Sequence, residues 1–248
     1  MDSKLTPRFQ SLNLLPSILS QVEAKGYTHP TPIQEQAIPS LLEGKDLLGI
    51  ARTGSGKTAA FSLPLIDHLG RSIVNIKPNH VRSLILSPTR ELASQIESNI
   101  ISYSEGLGLK TKVVFGGVGK QPQIDALESG LDVLVATPGR LLDLIERGHI
   151  HFDDLEVLIL DEADMMLDMG FLGDVKKIIS FLPQNKQTIL FSATIPEAIE
   201  NLANNLLNTP VKVEIDSELS LCDTIEQKIY TVEKVNKGYL LNSMLGHQ

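Results

Sequence analysis

The stretch LLGIARTGSGKT, Leu47–Thr58, decides the fold of this chain of 248 residues. Its first four residues predict a short buried strand, and the segment AAFSLPLIDHL that follows has helical spacing. Between them, Gly54 and Gly56 let the backbone bend so that its N–H groups converge. Lys57 and Thr58 open the helix, whose N-terminus favours an anion. A strand, a glycine loop and a helix in this order predict a phosphate-binding loop, although Ala51 stands at the first glycine of the general pattern.

Outward from this stretch, short apolar runs rich in branched residues alternate with segments of helical spacing. The predicted strands are 47–50, 83–86, 111–115, 132–136, 157–160, 188–191 and 211–215. The predicted helices after the first are 91–103, 121–127, 139–145, 175–182 and 196–207. This alternation predicts the α/β class, with a mainly parallel sheet that helices cover on both faces.

Polar or glycine-bearing clusters follow almost every predicted strand. Ligands of open α/β sheets bind at the carboxyl ends of the strands, so clusters in register form one functional edge. The six clusters are ARTGSGKT, SPTRELA, Gly116-Gly117, TPGR, DEAD and SAT.

The strand at 157–160 runs directly into Asp161 and Glu162. With the phosphate loop upstream, Lys57 is expected to hold the β and γ phosphates, and Thr58 and Asp161 to hold Mg²⁺, partly through water. Glu162 can take a proton from the attacking water, so Glu162, Asp161 and Lys57 are the candidate catalytic residues. The structural alternative for Asp161 is a helix N-cap.

Two other classes of phosphate-loop protein fit poorly. A GTPase needs an N-K-x-D guanine reader, and the pairs Asn185-Lys186 and Asn236-Lys237 continue without the aspartate. A nucleotide kinase needs several arginines around a second phosphate donor, whereas no arginine follows Arg147.

The composition excludes further classes. The 22 Lys+Arg against 30 Asp+Glu give a net charge of −8, which argues against binding nucleic acid by bulk charge but leaves room for a local basic groove. Cys222 is the single cysteine, so an internal disulfide is excluded and a reducing compartment, the cytoplasm, is expected. No apolar run approaches the roughly 18 to 20 residues of a membrane span.

At this point the motifs resemble the amino-terminal RecA-like domain of a DEAD-box ATP-dependent RNA helicase, with the bacterial RhlE type most similar. They occur in family order as GYTHPTPIQ (Gly26–Gln34), ARTGSGKT, PTREL, GG, TPGR, DEAD and SAT. The resemblance implies a RecA-like P-loop NTPase fold, ATP or ADP with Mg²⁺, and hydrolysis coupled to sequence-independent RNA binding and local unwinding.

The resemblance also implies roles for individual residues at the nucleotide. Gln34 is expected to pair with the adenine edge that guanine lacks, Tyr27 to stack on the base, and Phe9 to brace the site. The full nucleotide-binding set is Phe9, Tyr27, Gln34, Arg52, Thr53, Gly54, Ser55, Gly56, Lys57 and Thr58.

A second set implied by the resemblance lines the RNA track and grips phosphates without reading bases. For Arg90 a structural ion pair is the alternative. The RNA-binding set is Pro88, Thr89, Arg90, Gly116, Gly117, Thr137, Pro138, Gly139 and Arg140. Ser192 and Thr194 are expected to bond Asp164 and couple hydrolysis to strand separation, though both also suit a helix cap.

The domain organisation is expected to be a first RecA-like domain at 1–215, with its adenine-recognition motif at 9–34, a linker at 216–223 and the beginning of a second RecA-like domain at 224–248. A strand is predicted at 225–232 in this last segment. The missing second domain would supply arginines worth roughly 10³ to 10⁵ in rate, so the chain alone is expected to bind nucleotide but turn over weakly. Two alternatives stay open: a nucleotide-dependent binding module or inhibitor, and an ATPase acting on something other than RNA. PTREL and TPGR argue against the second.

Overall fold

The computed structural model describes residues 8–72, 74–215 and 228–246, so Cys222 and the predicted linker lie outside the described residues. By its internal contacts the chain divides into two units, Met1–Asp216 and Ser217–Gln248. None of the helices in the described ranges has the length and apolar composition to cross a bilayer.

Seven strands of the described residues form one sheet in the order β3-β4-β2-β5-β6-β1-β7. Every neighbouring pair is parallel. The strands are β1 Leu47–Ile50, β2 Val81–Leu86, β3 Thr111–Val114, β4 Leu131–Ala136, β5 Val157–Leu160, β6 Gln187–Ser192 and β7 Val211–Glu214. This sheet confirms the predicted α/β class.

Helices connect the strands. Several of them begin with a proline, whose fixed φ suits the first helical turn, as at Pro16, Pro32 and Pro138. The helices are α1 Pro16–Ala24, α2 Pro32–Leu42, α3 Lys57–Arg71, α4 Arg90–Tyr103, α5 Gln121–Leu127, α6 Pro138–Glu146, α7 Ala163–Asp168, α8 Leu172–Ser180, α9 Glu197–Leu206 and α10 Lys237–Leu245. Two short 3-10 helices, Phe9–Leu12 and Lys234–Asn236, complete the set in the described residues.

The two faces of the sheet carry separate hydrophobic cores because side chains of a strand alternate between faces. Ile85 and Ile159 point into a core shared with α1 to α4, and Leu84 and Leu158 into a core shared with α6, α8 and α9. All four of these side chains are fully buried. The central strands are therefore held from both sides, which fixes the positions of the loops that follow them.

The predicted elements differ from the observed ones mainly at their ends. The helix predicted at 175–182 is α8, which begins three residues earlier and ends at Ser180. Leu182 precedes Pro183, and the residue before a proline disfavours helical backbone. The strand predicted at 225–232 is wrong for its described part, since residues 228–232 form no strand. A single strand needs a partner, and the described residues 228–246 offer none.

Candidate functional site

The clusters predicted from sequence lie together because β2, β4, β5, β6 and β1 run parallel and side by side. The carboxyl ends of these strands form one edge, called here the carboxyl edge. It carries the loops that begin at Ala51, Ser87, Thr137, Asp161 and Ala193. The opposite edge, where the same strands begin, is called the amino edge.

The phosphate loop between β1 and α3 has the backbone that its glycines were expected to allow. Gly54 and Gly56 have φ of +85° and +97°, a region that favours glycine. A Cβ on Gly56 would also stand 2.5 Å from Nε2 of Gln34. Glycine is required at Gly56 both by the backbone turn and by the neighbouring helix α2.

Lys57 and Glu162 form a buried ion pair at the centre of this edge. Nζ of Lys57 lies 3.0 Å from Oε2 of Glu162 and donates to the carbonyl of Ala51 at 2.9 Å. The hydroxyl of Thr53 donates to Oε1 of Glu162 at 3.0 Å. Both carboxylate oxygens of Glu162 are therefore engaged by residues of the phosphate loop.

The backbone of Glu162 is strained. Its φ of +52° and ψ of +53° are left-handed, a conformation that a non-glycine residue adopts only when its surroundings hold it there. Glu162 stands at the N-cap position of α7, and its side chain is only 7% exposed. Such an outlier points to a functional position of the carboxylate.

Asp161 ends β5 with an unsatisfied carboxylate. It is 4% exposed, and its Oδ1 has no hydrogen-bond partner. Burial, and after it the charge of Glu162, raises the pKa of Asp161 to about 7. A bound cation would satisfy the free oxygen and reverse the cost of ionisation, so the residue fits a metal ligand. Thr58 is the second residue of α3, next to Lys57.

Three residues that the resemblance assigns to the adenine stand in different surroundings. Gln34 is buried, accepts from the N–H of Thr31 at 2.9 Å and donates to the carbonyl of Gly56 at 3.0 Å. Tyr27 is half exposed, whereas Phe9 is 3% exposed and packs in the core. The adenine contacts of all three remain predictions, and any effect of Phe9 passes through packing.

The rest of the predicted nucleotide set belongs to the loop itself. Arg52 is exposed, and the hydroxyl of Ser55 is buried without a partner. The hydroxyl of Ser55 is thus a second buried polar group without a partner, in addition to Oδ1 of Asp161.

The predicted RNA residues occupy the β2, β3 and β4 end of the carboxyl edge. Arg90 is exposed and bonds the carbonyl of Gly116 at 3.5 Å, while Arg140 donates through Nη2 to the carbonyl of Val118 at 2.9 Å. Nη1 of Arg140 is buried with no partner. Both arginines thus reach the same loop after β3 and retain donors for an anion.

The remaining members of this set shape the loops. Thr89 caps α4 by accepting from the N–H of Leu92, and Gly117 has φ of +80°. Pro88 and Thr137 are buried, and Pro138 and Gly139 form the first turn of α6. Their contact with RNA stays a prediction.

Asp164, Ser192 and Thr194 form one hydrogen-bond cluster. Thr194 donates to Oδ2 of Asp164 from both its N–H and its hydroxyl, each at 2.9 Å. The N–H of Asp164 donates to the hydroxyl of Ser192 at 3.1 Å. Burial opposes ionisation of Asp164, but the bonds from Thr194 outweigh it and lower the pKa of that carboxyl. The cluster joins the β5 loop to the β6 loop.

Sequence reasoning missed the contacts that connect these motifs. The bonds of Thr53 to Glu162 and of Gln34 to Gly56 join residues 109 and 22 positions apart. Spacing within a motif carries no signal for such contacts, because they arise from which strands become neighbours.

A known protein family and several known proteins match the part of the sequence that carries this site. The family described as DEAD/DEAH box helicase matches residues 31–202. DEAD-box ATP-dependent RNA helicase CshA of Streptococcus pneumoniae is 43% identical over 230 residues, 93% of this chain and 43% of that protein. DEAD-box ATP-dependent RNA helicase RhpA of Helicobacter pylori is 40% identical over 248 residues, 100% of this chain and 49% of that protein. The chain spans about half or less of the length of these relatives.

Solved structures share the fold. A crystal structure of a DEAD box protein from Methanococcus jannaschii superposes with a TM-score of 0.77 at 38% identity, covering 96% of this chain and 63% of that one. A hypothetical ATP-dependent RNA helicase from Sulfolobus tokodaii gives 0.73 at 38% identity, covering 80% and 56%. These similarities confirm the predicted RecA-like architecture.

Proposed function

The chain belongs to the DEAD/DEAH box helicase family, and we propose from this premise that it is the ATP-binding, amino-terminal half of an ATP-dependent RNA helicase. One observation carries the proposal. The buried pair of Lys57 and Glu162 stands directly beside the unsatisfied Asp161, at the mouth of a glycine loop. A cation-binding carboxylate, a base and a phosphate-binding lysine are the groups that ATP hydrolysis requires.

The nucleotide is ATP, bound with Mg²⁺. The loop amides and Lys57 hold the phosphates, and Thr58 and Asp161 hold the cation, which when bound neutralises phosphate charge. Glu162 accepts a proton from water while the water oxygen bonds to the γ-phosphorus and the bond from phosphorus to the ADP oxygen breaks. Gln34 selects adenine, because its amide offers one donor and one acceptor.

RNA is the second ligand. Arg90 and Arg140 both lie at the loop after β3, and the unpartnered Nη1 of Arg140 is a donor suited to a phosphate oxygen. Phosphate contacts carry no sequence information, so binding is independent of base sequence. Asp164, bonded to Thr194, transmits the state of the nucleotide loop towards β6.

A second RecA-like domain completes the enzyme. Arg147 is the last arginine of this chain, and phosphoryl-transfer enzymes of this kind use an arginine to stabilise charge in the transition state. We assign this role to a domain that continues from Ser217–Gln248, with 1–215 as the first domain. The cytoplasm is the proposed location, in keeping with a single cysteine, Cys222.

The test is ATP hydrolysis by the 248-residue chain and by the full-length gene product, each with and without single-stranded RNA. We expect binding but weak turnover by the chain, and RNA-stimulated turnover by the gene product. Lys57→Ala should abolish nucleotide binding, and Glu162→Gln should reduce turnover to a small but measurable residual rate. Lys45→Ala, which removes an exposed lysine at the amino edge, is the matched control and should change neither.

Each result has a defined meaning. Nucleotide binding that Lys57→Ala leaves intact would contradict the assigned site. Turnover that RNA does not stimulate would favour an ATPase with another substrate. RNA binding that depends on nucleotide, in a gene product without turnover, would favour a binding module.

A further inference from the structure

In the described part of the chain, two side chains donate hydrogen bonds to Glu162, and they differ in charge and in burial. Lys57 holds Oε2 and Thr53 holds Oε1, each at 3.0 Å. Lys57 is 4% exposed and also bonds the carbonyl of Ala51. Thr53 is exposed, and its one hydrogen bond among the described residues goes to Glu162.

Nucleotide binding changes these two contacts unequally. The ammonium of Lys57 is a compact charge with three donors, and the phosphates of ATP are stronger acceptors for it than one carboxylate. When Lys57 turns to the phosphates, Oε2 of Glu162 loses its donor and is free to accept from water. The hydroxyl of Thr53 carries no charge to be drawn to the phosphates and keeps its bond to Oε1.

We propose that Thr53 is a positioning residue for Glu162: its hydroxyl fixes one carboxylate oxygen so that the other faces the attacking water. This inference rests on the proposed function. The strained backbone of Glu162 supports it, because a φ of +52° at a non-glycine residue persists only where neighbouring contacts hold it.

The position of Thr53 in the phosphate loop links the orientation of Glu162 to the position of the phosphates. Thr53 precedes Gly54 in the loop that cradles the phosphates, so the base is oriented from the same segment that holds the reacting group. A β-branched side chain has few χ1 states, which limits the drift of the hydroxyl. The geometry of base and phosphate is thereby set by one rigid turn.

The alternative role for Thr53 is purely structural. Its hydroxyl would then serve only to hold the phosphate loop against Glu162 before nucleotide binds, together with the pair of Lys57 and Glu162. In that case removing the hydroxyl would make ATP bind more tightly and leave kcat as it is. The positioning role therefore predicts a fall in kcat with little change in nucleotide affinity, whereas the closing role predicts tighter ATP binding with kcat unchanged.

The test uses Thr53→Val, which keeps the shape and removes the hydroxyl, and Thr53→Ser, which keeps the hydroxyl. ATPase activity of the full-length gene product is measured at saturating single-stranded RNA. Thr53→Val should lower kcat by about 10- to 100-fold, the value of a hydrogen bond to a charged group, with KM for ATP within about 3-fold. Thr53→Ser should recover most of kcat. Thermal unfolding checks that both variants fold.

A double-mutant cycle with Glu162→Gln decides whether Thr53 acts through Glu162. In that background Thr53→Val should cause no further loss, whereas an undiminished loss would overturn the inference. Tighter ATP binding with unchanged kcat would also overturn it. Hydrolysis that requires Glu162 but not the hydroxyl of Thr53 would contradict this inference and leave the proposed function intact. If the wild-type gene product does not hydrolyse ATP, both the proposed function and this inference are contradicted.

Discussion

The amino edge and the carboxyl edge of the sheet use their charged side chains in opposite ways. At the amino edge every carboxylate oxygen of Asp46, Asp132 and Glu156 has a donor. Asp46 accepts from the N–H groups of Thr188 and Asn208, both at 2.7 Å. Arg82 bonds both Asp132 and Glu156, and the N–H of Lys110 and the ring of His68 supply the remaining two bonds.

At the carboxyl edge the pattern is reversed. Oδ1 of Asp161 and Nη1 of Arg140 are buried without partners, and Glu162 has a strained backbone. The two edges also move carboxyl pKa values in opposite directions. Burial is opposed at Glu156 by His68 and Arg82, which lower its pKa to about 2, whereas burial and Glu162 raise the pKa of Asp161 to about 7.

The difference separates stability from function. A buried charge whose bonds are all made within the chain stabilises the fold, and one left unsatisfied costs stability until a ligand arrives. A cavity of about 690 Å³ at the amino edge illustrates the point, because its charged walls include Asp46, His68 and Glu156, which are already paired. A cavity by itself therefore does not mark the functional edge.

The largest expected effect comes from Arg82→Leu, which leaves Asp132 and Glu156 without their shared partner. Arg82 is 3% exposed, and removing one side of a buried ion network costs about 3 kcal/mol of unfolding free energy. Arg147→Leu removes an exposed arginine that pairs with Asp143, and should cost much less because solvent screens that pair. Urea unfolding measures both; equal losses would mean that burial of the amino edge does not matter.

Asp161→Asn should stabilise the metal-free chain. The raised pKa means that the folded state holds its proton up to about pH 7, while the unfolded chain releases it near 3.8. Stability is therefore lost as pH rises through this interval, and the amide avoids the loss. The expected gain is on the order of 2 kcal/mol at pH 8 and less than half of that at pH 5.

Asp164→Asn is the matched control for that experiment. The lowered pKa of Asp164 means that its ionised form is favoured in the fold, so the amide should lose stability at pH 8. Urea unfolding in the presence of a chelator gives both values. A gain for Asp161→Asn that is equal at both pH values would show that titration is not its cause.

Arg140→Ala should weaken RNA binding with little change in the fold. Loss of one phosphate contact lowers affinity by about 1 kcal/mol and reduces the slope of log affinity against log salt by about 1. Arg147→Ala, at the C-cap directly after α6 and engaged with Asp143, should leave the slope unchanged. Fluorescence anisotropy with labelled single-stranded RNA across a salt series would decide, and an unchanged slope for Arg140→Ala removes it from the RNA track.

The smallest effect concerns acid stability at the amino edge. Glu156 has its pKa lowered to about 2, so its contribution is complete above the ordinary value of 4.5 and is lost as pH falls towards 2. The side chain is 35% exposed, and solvent screening keeps the contribution below about 1 kcal/mol. Glu156→Gln should flatten the fall in stability between pH 5 and pH 3, whereas Glu43→Gln, at an exposed pair, should not.

Sequence alone located the strands and the order of the motifs because apolar periodicity and turn residues are local signals. The segment at Leu47–Ile50 is β1 as predicted, and Gly54 and Gly56 have the expected backbone. The network of Arg82 could not be predicted, because its partners Asp132 and Glu156 are 50 and 74 residues away. The strand predicted at 225–232 does not form in its described part, 228–232, because periodicity cannot report whether a partner strand exists.

The strand order also governs the sequence of events while the chain is being made. β1 carries the phosphate loop, yet its two neighbours in the sheet are β6 and β7, which begin at Gln187 and Val211. A growing chain therefore cannot place β1 between its partners until nearly the whole domain has been synthesised. Such distant pairing folds slowly and exposes an unpaired apolar strand in the meantime. The site that appears first in the sequence is among the last to be assembled.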